Sequence, residues 1–437
     1  MTSRGLRAAL MALLLAWSAP ANAVVEIQWW HAMRFELGRQ LERLAADFNA
    51  SQAEYRIVPV YKGQYTETLS AAIIALRNRQ QPAIVQVAEV ATATLMAAKG
   101  AIYPVFELMR DQGETFDPAA YVPTVKSYYS DLDGNMLSFP FNASTPILYY
   151  NKDYFRAAGL DPEAPPKTWP EMESMGRRLR DAGVRCGFTN HWPSWVQIEN
   201  FSALHNLPIS TKANGFGGLD TELTINNDVV VRHIGKLAEW QKTRIFDYGG
   251  RTTAADPKFM NGDCAIFLGT SAQRADITAG VKYAVGYGLL PYWPDVAGAP
   301  QNSIIGGATL WVLRGRPPAE YKGVAEFFAF LSRPGVQAAW HQRTGYLPIT
   351  RAAYELTRTL GYYERNPGAD VAIEQLSLKP PTENSKGLRL GSFVLIRDVI
   401  EDEMEQAFAG KKSSKAALDS AVVRGNDLLR QFEKANR

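Results

Sequence analysis

The side chains of this 437-residue chain with the most reactive chemistry are five histidines and two cysteines. His31, His191, His205, His233 and His341 form no H-E-x-x-H motif and no i, i+4 pair, so no helix face presents two imidazoles to a metal ion. Cys186 and Cys264 are not in a C-x-x-C pair, which argues against a zinc site or a redox dithiol. The chain has no G-x-S-x-G elbow, no G-x-x-x-x-G-K-[ST] loop and no complete G-x-G-x-x-G fingerprint. Gly410-Lys411-Lys412-Ser413 lacks the upstream glycine of a phosphate loop and reads as a solvated turn. His31 or His191 could serve as a general base, but the sequence offers neither a nucleophile nor a carboxylate partner. Cleft lining or core packing is the better reading of both. No cofactor is expected. The chemistry that remains is that of binding. Trp192 and Trp195 offer flat faces for a polyol's C–H surface or for a quaternary ammonium, unless they simply cap the core. Arg397 and Arg389 present donor forks that match phosphate oxygens, Ser144 and Thr270 or Ser271 supply hydroxyls, and Gly306-Gly307 lets the backbone approach an anion closely.

The elements that must position these groups alternate. Val24 to Trp30, Arg56 to Tyr61 and Ala83 to Ala88 read as strands. Between the first two, Leu37, Leu41, Leu44 and Phe48 recur at helical spacing, and Leu69, Ile73 and Leu76 mark a second helix. This βαβαβα order implies a parallel sheet with right-handed crossovers. A second α/β region follows, with strands at Leu148 to Asn151, Arg185 to Thr189, Cys264 to Leu268 and Ala308 to Leu313. Thr168-Trp169-Pro170-Glu171 forms a capping box that opens a helix. In open parallel sheets, ligands bind beyond the carboxyl ends of strands. That rule selects His31, Tyr65 and Glu89 in the first region, and His191, Trp192, Trp195, Thr270 and Ser271 in the second. Glu89 is suited either to accept hydrogen bonds from ligand hydroxyls or to cap a helix. No repeat, low-complexity tract or flexible linker interrupts the chain, so two lobes joined by several crossing strands are expected.

Arg4 and Arg7, the apolar run Ala8 to Trp17 and the Ala21-Asn22-Ala23 ending match a signal peptide, with cleavage expected after Ala23. No cysteine lies near that cut, so no lipid anchor is expected, and a Gram-negative periplasm fits best. The formal net charge of +3 falls by two on loss of Arg4 and Arg7, leaving no electrostatic footprint for nucleic acid or an acidic membrane. In an oxidising compartment, Cys186 and Cys264 are open to a disulfide or to two buried free thiols. With ten tryptophans and nineteen tyrosines, the chain has enough polar-tipped aromatics to line a cleft as well as fill a core.

Several stretches carry a family resemblance that runs through essentially the whole mature chain. They are Val58-Pro59-Val60-Tyr61-Lys62-Gly63, Phe141-Asn142-Ala143-Ser144-Thr145-Pro146, Leu148-Tyr149-Tyr150-Asn151-Lys152-Asp153, Ile304-Ile305-Gly306-Gly307-Ala308, Thr344-Gly345-Tyr346-Leu347-Pro348-Ile349-Thr350 and Lys386-Gly387-Leu388-Arg389-Leu390-Gly391. With these the chain resembles the periplasmic sn-glycerol-3-phosphate-binding proteins of ABC importers, within the extracellular solute-binding protein family 1 cluster that includes maltose-binding proteins. The resemblance implies ligand contacts at Tyr65, Glu89, Ser144, Trp192, Trp195, Gly307, Tyr346 and Arg397. Where the family has a serine after the Asn-Gly-Asp-Cys-Ala strand, this chain has Thr270 with Ser271 beside it, which keeps a hydroxyl and adds a methyl group.

The expected fold is α/β, a two-lobed type II periplasmic-binding-protein architecture with a mainly parallel sheet in each lobe. Lobe 1 is expected to comprise residues 24–138 and 291–345, and lobe 2 residues 139–290 and 346–437. The expected activity is capture of glycerol 3-phosphate or a glycerophosphodiester by hinged lobe closure. The chain would act as a monomer, without catalysis, and deliver the ligand to inner-membrane permease subunits with their ATPase. A periplasmic glycerophosphodiester hydrolase and a binding protein for a maltose-type sugar are the alternatives.

Overall fold

In the computed structural model, residues 24–98, 100–131 and 133–437 are described. The expected signal peptide lies outside them. Among the described residues, ten strands fall in chain order: β1 Val25–His31, β2 Tyr55–Tyr61, β3 Ile84–Ala88, β4 Ile102–Tyr103, β5 Phe139–Ser144, β6 Pro146–Asn151, β7 Cys186–Asn190, β8 Cys264–Thr270, β9 Val285–Gly288 and β10 Gly306–Leu313. They build two sheets. One has the order β2-β1-β3-β10-β4 with β5 paired to β10, and the other has the order β7-β8-β6-β9.

The two-lobed α/β architecture is as expected, but the mainly parallel pairing is corrected. In the first sheet only β1–β2 and β1–β3 are parallel, and β10 runs antiparallel to β3, β4 and β5. In the second sheet only β7–β8 is parallel, with β6 antiparallel to β8 and β9. The cause is the crossing itself. β5 arrives at the junction between the sheets and the chain continues directly into β6, which must run away from that junction and so against β8. β10 likewise leaves the junction and runs against β3. By strand pairing, this first crossing falls between Ser144 and Pro146, a few residues after the boundary expected at 138/139.

Each lobe has its own core. The Phe35–Ser51 helix turns Leu41, Leu44, Ala45 and Phe48 inward, the i, i+3, i+4, i+7 pattern of an amphipathic face. Phe48 meets Phe327 and Phe330 edge-on at centroid distances of 5.1 and 5.6 Å. In the second lobe, Trp169, Phe188, Trp240 and Phe246 pack with the Phe393–Phe408 helix. Burying each such ring stabilises the fold by about 1.5–3 kcal/mol. Thr168 and Glu171 close the expected capping box over the Trp169–Asp181 helix. Cys186 and Cys264 form a disulfide between in-register positions of β7 and β8, which resolves the choice left open above. The one group among the described residues with metal-ligand spacing is Cys186, Asp247 and Cys264, and its two sulfurs are already bonded to each other. No helix among the described residues is long and apolar enough to cross a membrane.

Candidate ligand-binding cleft

Strands arriving at the junction from both sheets leave a cavity of about 190 Å³ between the lobes. Nine residues singled out from the sequence line it together: Tyr65, Glu89, Ser144, Trp192, Trp195, Thr270, Gly307, Tyr346 and Arg397. Ser271 does not. It lies buried behind Thr270, with its backbone carbonyl accepting from Tyr149. Arg389 is also elsewhere: its Nη2 donates to the carbonyls of Ser127, Tyr128 and Ser130, and its guanidinium sits 4.5 Å from the centre of the Phe216 ring. It ties loops together and is not available to an anion in the cleft.

Arg397, on the Phe393–Phe408 helix, is the electrostatic centre. Its Nε and Nη2 each donate to a different oxygen of Glu199 at 2.7 Å, and Nη2 also donates to Glu89 at 2.9 Å. The pair with Glu89 links regions of the two sheets, because Glu89 follows β3 of the first sheet whereas Glu199 follows β7 of the second and Arg397 lies on the Phe393–Phe408 helix. Burial opposes the Arg397 charge, but Glu199 and Glu89 outweigh it and hold its pKa above the ordinary range. Burial pushes Glu89 up to about 7, against the pull of Arg397 and with a further push from Glu199. Three of the five guanidinium N–H groups are thereby engaged, and Nη1 has no partner among the described residues. The two Nη1 protons are left to donate to an anion that approaches that end of the cation.

Neighbouring groups are aimed by a relay. Gln86 Oε1 accepts from the Ala32 amide at 2.8 Å, Gln86 Nε2 donates to Asn142 at 2.9 Å, and Asn142 Nδ2 donates to the Tyr65 hydroxyl at 3.1 Å. The Tyr65 oxygen accepts this bond and so keeps its own proton for donation, with the Tyr346 hydroxyl as its neighbour. Burial keeps that proton in place, with the pKa pushed up to about 12. His191 accepts the Thr270 amide proton on Nε2 at 2.8 Å, so Nδ1 must carry the proton it shares with Asp256 at 2.8 Å. With both ring nitrogens engaged, His191 orients Thr270 and is not a free base. His31 does not line the cavity. Its Nδ1 accepts from the Met33 amide, and burial lowers its pKa to about 4.

The double glycine has two separate steric causes. A Cβ on Gly306 would lie 2.4 Å from the Trp195 ring, and one on Gly307, whose φ is +100°, would lie 1.9 Å from the Asn142 carbonyl oxygen. Gly306 thus makes room for the tryptophan, while Gly307 lets β10 pass β5 at the cleft. Trp192 and Phe35 line the cavity from opposite lobes at φ values of +43° and +50°. Bulky residues held in that region are strained, and such strain concentrates at binding sites.

Sequence reasoning missed Glu199, Asn142, Gln86, Asp398 and Glu401. Glu199 had a weak signal, as the one charged residue between Trp195 and Leu204. Asn142 sits within a motif already quoted. Glu401 falls one helical turn after Arg397, a spacing that means little until the helix face is known.

The chain matches the model of the family described as bacterial extracellular solute-binding protein over residues 43–369. It is 52% identical over 428 residues to the sn-glycerol-3-phosphate-binding periplasmic protein UgpB of Salmonella typhimurium, covering 98% of each chain. It is 51% identical to the protein of that name from Yersinia pseudotuberculosis, covering 98% of this chain and 97% of that one. Among solved structures, UgpB from Mycobacterium tuberculosis in complex with glycerophosphocholine superposes with a TM-score of 0.78 at 21% identity, over 93% of this chain and 98% of that one. The GacH receptor of Streptomyces glaucescens does so at 0.77 and 15% identity, over 94% and 99%. At those identities the two structures speak to the fold alone. With half its residues identical to curated relatives along almost its whole length, the chain belongs to the bacterial extracellular solute-binding proteins.

Proposed function

We propose that the chain is the periplasmic binding subunit of an ABC importer, capturing sn-glycerol 3-phosphate and glycerophosphodiesters between its lobes and delivering them to a membrane permease with its ATPase. The relatives at 51–52% identity bear the name of glycerol-3-phosphate-binding periplasmic proteins. The observation that carries the reading is the geometry of Arg397: fixed by two carboxylates, lining the cavity, and left with a free Nη1 edge. A phosphate at that edge would also reach the Ser144 and Thr270 hydroxyls and the backbone at Gly307. Each charge-assisted bond of this kind contributes about 1.5–3 kcal/mol. Tyr65 and Glu89 would take the glycerol hydroxyls, one donating and one accepting. The ligand would then touch both lobes, and a ligand that touches both favours their closed arrangement.

Catalysis has no support in this geometry. His191 is occupied, His31 lies off the cavity, and no nucleophile sits beside a base among the described residues lining the cleft. Calorimetric titration with glycerol 3-phosphate, glycerophosphocholine and maltose tests the reading, alongside an assay for choline release. Heat from the two phosphates and none from maltose is the expected result. Maltose binding or choline release would replace the reading with a sugar-binding or hydrolytic one.

A further inference from the structure

Two chain crossings between the sheets meet at polar side chains that line no part of the cavity. In the first, Ser144 pairs with Gly306 in one sheet and Pro146 with Thr270 in the other, so Thr145 is the single residue between them. The return crossing runs from Gln301 to Gly306. As far as Ile304 it is held by the segment that follows β7. The Gln301 amide donates to the Leu204 carbonyl at 2.7 Å, and the Ile304 amide donates to Asn200 Oδ1 at 3.0 Å. From Gly306 onward it pairs in the first sheet. Thr145 and Ile305 are therefore the positions where the backbone passes from one sheet to the other.

Side chains join the two crossings at that level. Thr145 Oγ1 donates to the Ile304 carbonyl at 3.1 Å and lies 2.6 Å from the Ser303 hydroxyl. A hydroxyl has one proton, so Ser303 is the donor when both bonds form. Asn200 extends the contact towards the cleft: while its Oδ1 holds Ile304, its Nδ2 donates to the Trp195 carbonyl at 3.1 Å. Trp195 opens the π-helical turn Trp195–Asn200, which also carries Glu199, the partner of Arg397. Turns of this kind recur at functional sites. Thr145, Asn200 and Ser303 are wholly buried and do not line the cavity. No water replaces a bond lost at such a place, so each bond resists displacement. A change of angle between the sheets turns one crossing against the other and stretches the Thr145–Ser303 pair. The bonds coexist with two contacts between the sheet regions, Arg34 Nη2 to Thr253 Oγ1 at 3.0 Å and Arg397 to Glu89.

We infer that Thr145, Ser303 and Asn200 are positioning residues that clasp the two crossings in the arrangement where the cleft residues face one another. They touch no ligand. They set the affinity for every ligand by one common factor, the fraction of molecules in that arrangement. The inference rests on the binding-protein reading.

Thr145→Val stays close in shape and removes the hydroxyl, whereas Thr145→Ser keeps it. Variants shown to be folded by their melting curves are titrated by calorimetry with glycerol 3-phosphate and with glycerophosphocholine, and small-angle X-ray scattering is recorded with and without ligand. Thr145→Val should raise both Kd values by the same factor, about three- to tenfold. Its unliganded radius of gyration should increase, and its saturated one should match that of the unmodified protein. Thr145→Ser should behave as the unmodified protein does, and Asn200→Ala as Thr145→Val does. Should Thr145→Val fail to fold, Ser303→Ala, which leaves Thr145 its bond to Ile304, carries the same expectation. Unchanged Kd values, a factor that differs between the two ligands, weaker binding with unchanged scattering, or Thr145→Ser as weak as Thr145→Val overturns the clasp. Binding of neither ligand by the unmodified protein overturns the binding-protein reading itself.

Discussion

Glu199 grips Arg397 through two parallel bonds, Nε and Nη2 each 2.7 Å from its own carboxylate oxygen, at a position where Glu199 is almost wholly buried. The pair sits within one lobe, so it holds the guanidinium in place whether or not Glu89 approaches from the other. Removing one partner of such a buried pair costs about 3–5 kcal/mol, because the remaining charge is left uncompensated. Glu199→Gln should therefore lower stability in a denaturant titration and weaken glycerol 3-phosphate binding at least about tenfold. Binding unchanged in a folded variant would show that Arg397 needs no such support.

The disulfide should matter for stability and not for recognition. Cys186 and Cys264 enclose a loop with a sequence separation of 78 and do not line the cavity. Chain entropy alone assigns a loop of this size about 4.5 kcal/mol. Reduction, or a Cys186→Ala/Cys264→Ala double variant, should move the urea midpoint down by a corresponding amount while leaving the calorimetric Kd within about twofold.

Gly307→Ala places a methyl group where the Asn142 carbonyl already is, at a φ of +100°. Asn142 also holds the Tyr65 hydroxyl, so the disturbance would pass into the cleft. The expected outcome is a poorly folded protein, or a folded one with at least about tenfold weaker binding. Gly306→Ala should act differently, pushing the Trp195 ring and altering tryptophan fluorescence. An unchanged spectrum would mean the ring has slack that the contact distances deny.

Glu401 also has a stability signature. Burial raises its pKa from the ordinary value of 4.5 to about 7 on folding, so the folded chain holds this proton more tightly than the unfolded one. That contribution is fully present below about pH 4.5 and is lost as pH rises through about 7. Glu401→Gln, which cannot lose the proton, should match the unmodified protein near pH 4.5 and exceed it by up to about 3 kcal/mol at pH 8. A difference that does not vary with pH would place the carboxylate in water.

Much of this was legible in the sequence, for identifiable reasons. Strong period-two and period-3.6 patterns located β1 to β3, β7, β8 and the helix beginning at Phe35. The strand-end rule placed Tyr65, Glu89, Trp192, Trp195 and Thr270 on a common cleft before any coordinates. β5 was invisible because Pro140 interrupts a strand pattern; the sheet accommodates it at a register shift between Ala308 and Thr309 of β10. The Tyr65–Arg77 helix was recognised, but its face was read wrongly. Ile73 and Ile74 are exposed while Thr68, Ala72 and Ala75 are buried, because close packing on the sheet favours small side chains. The strands β6 and β10 were read, but their antiparallel sense escaped, because it depends on which lobe a strand comes from and local periodicity carries no such information.

The cleft was harder to read than the fold. Residues with unusual types for their surroundings, such as paired tryptophans and double glycine, announced themselves. Glu199 and Gln86 act through what they touch, and those partners lie 198 and 56 residues away in the sequence. Family resemblance pointed to ligand contacts but said nothing of the residues that hold those contacts in place.

The most direct test of the central claim is calorimetric titration of Arg397→Lys and Arg397→Ala with glycerol 3-phosphate, each variant first shown to be folded by its melting curve. If the free edge of the guanidinium anchors the phosphate, lysine keeps the charge but loses the fork, and Kd should rise at least about tenfold; alanine should abolish measurable binding. A Kd unchanged in either folded variant would contradict the account.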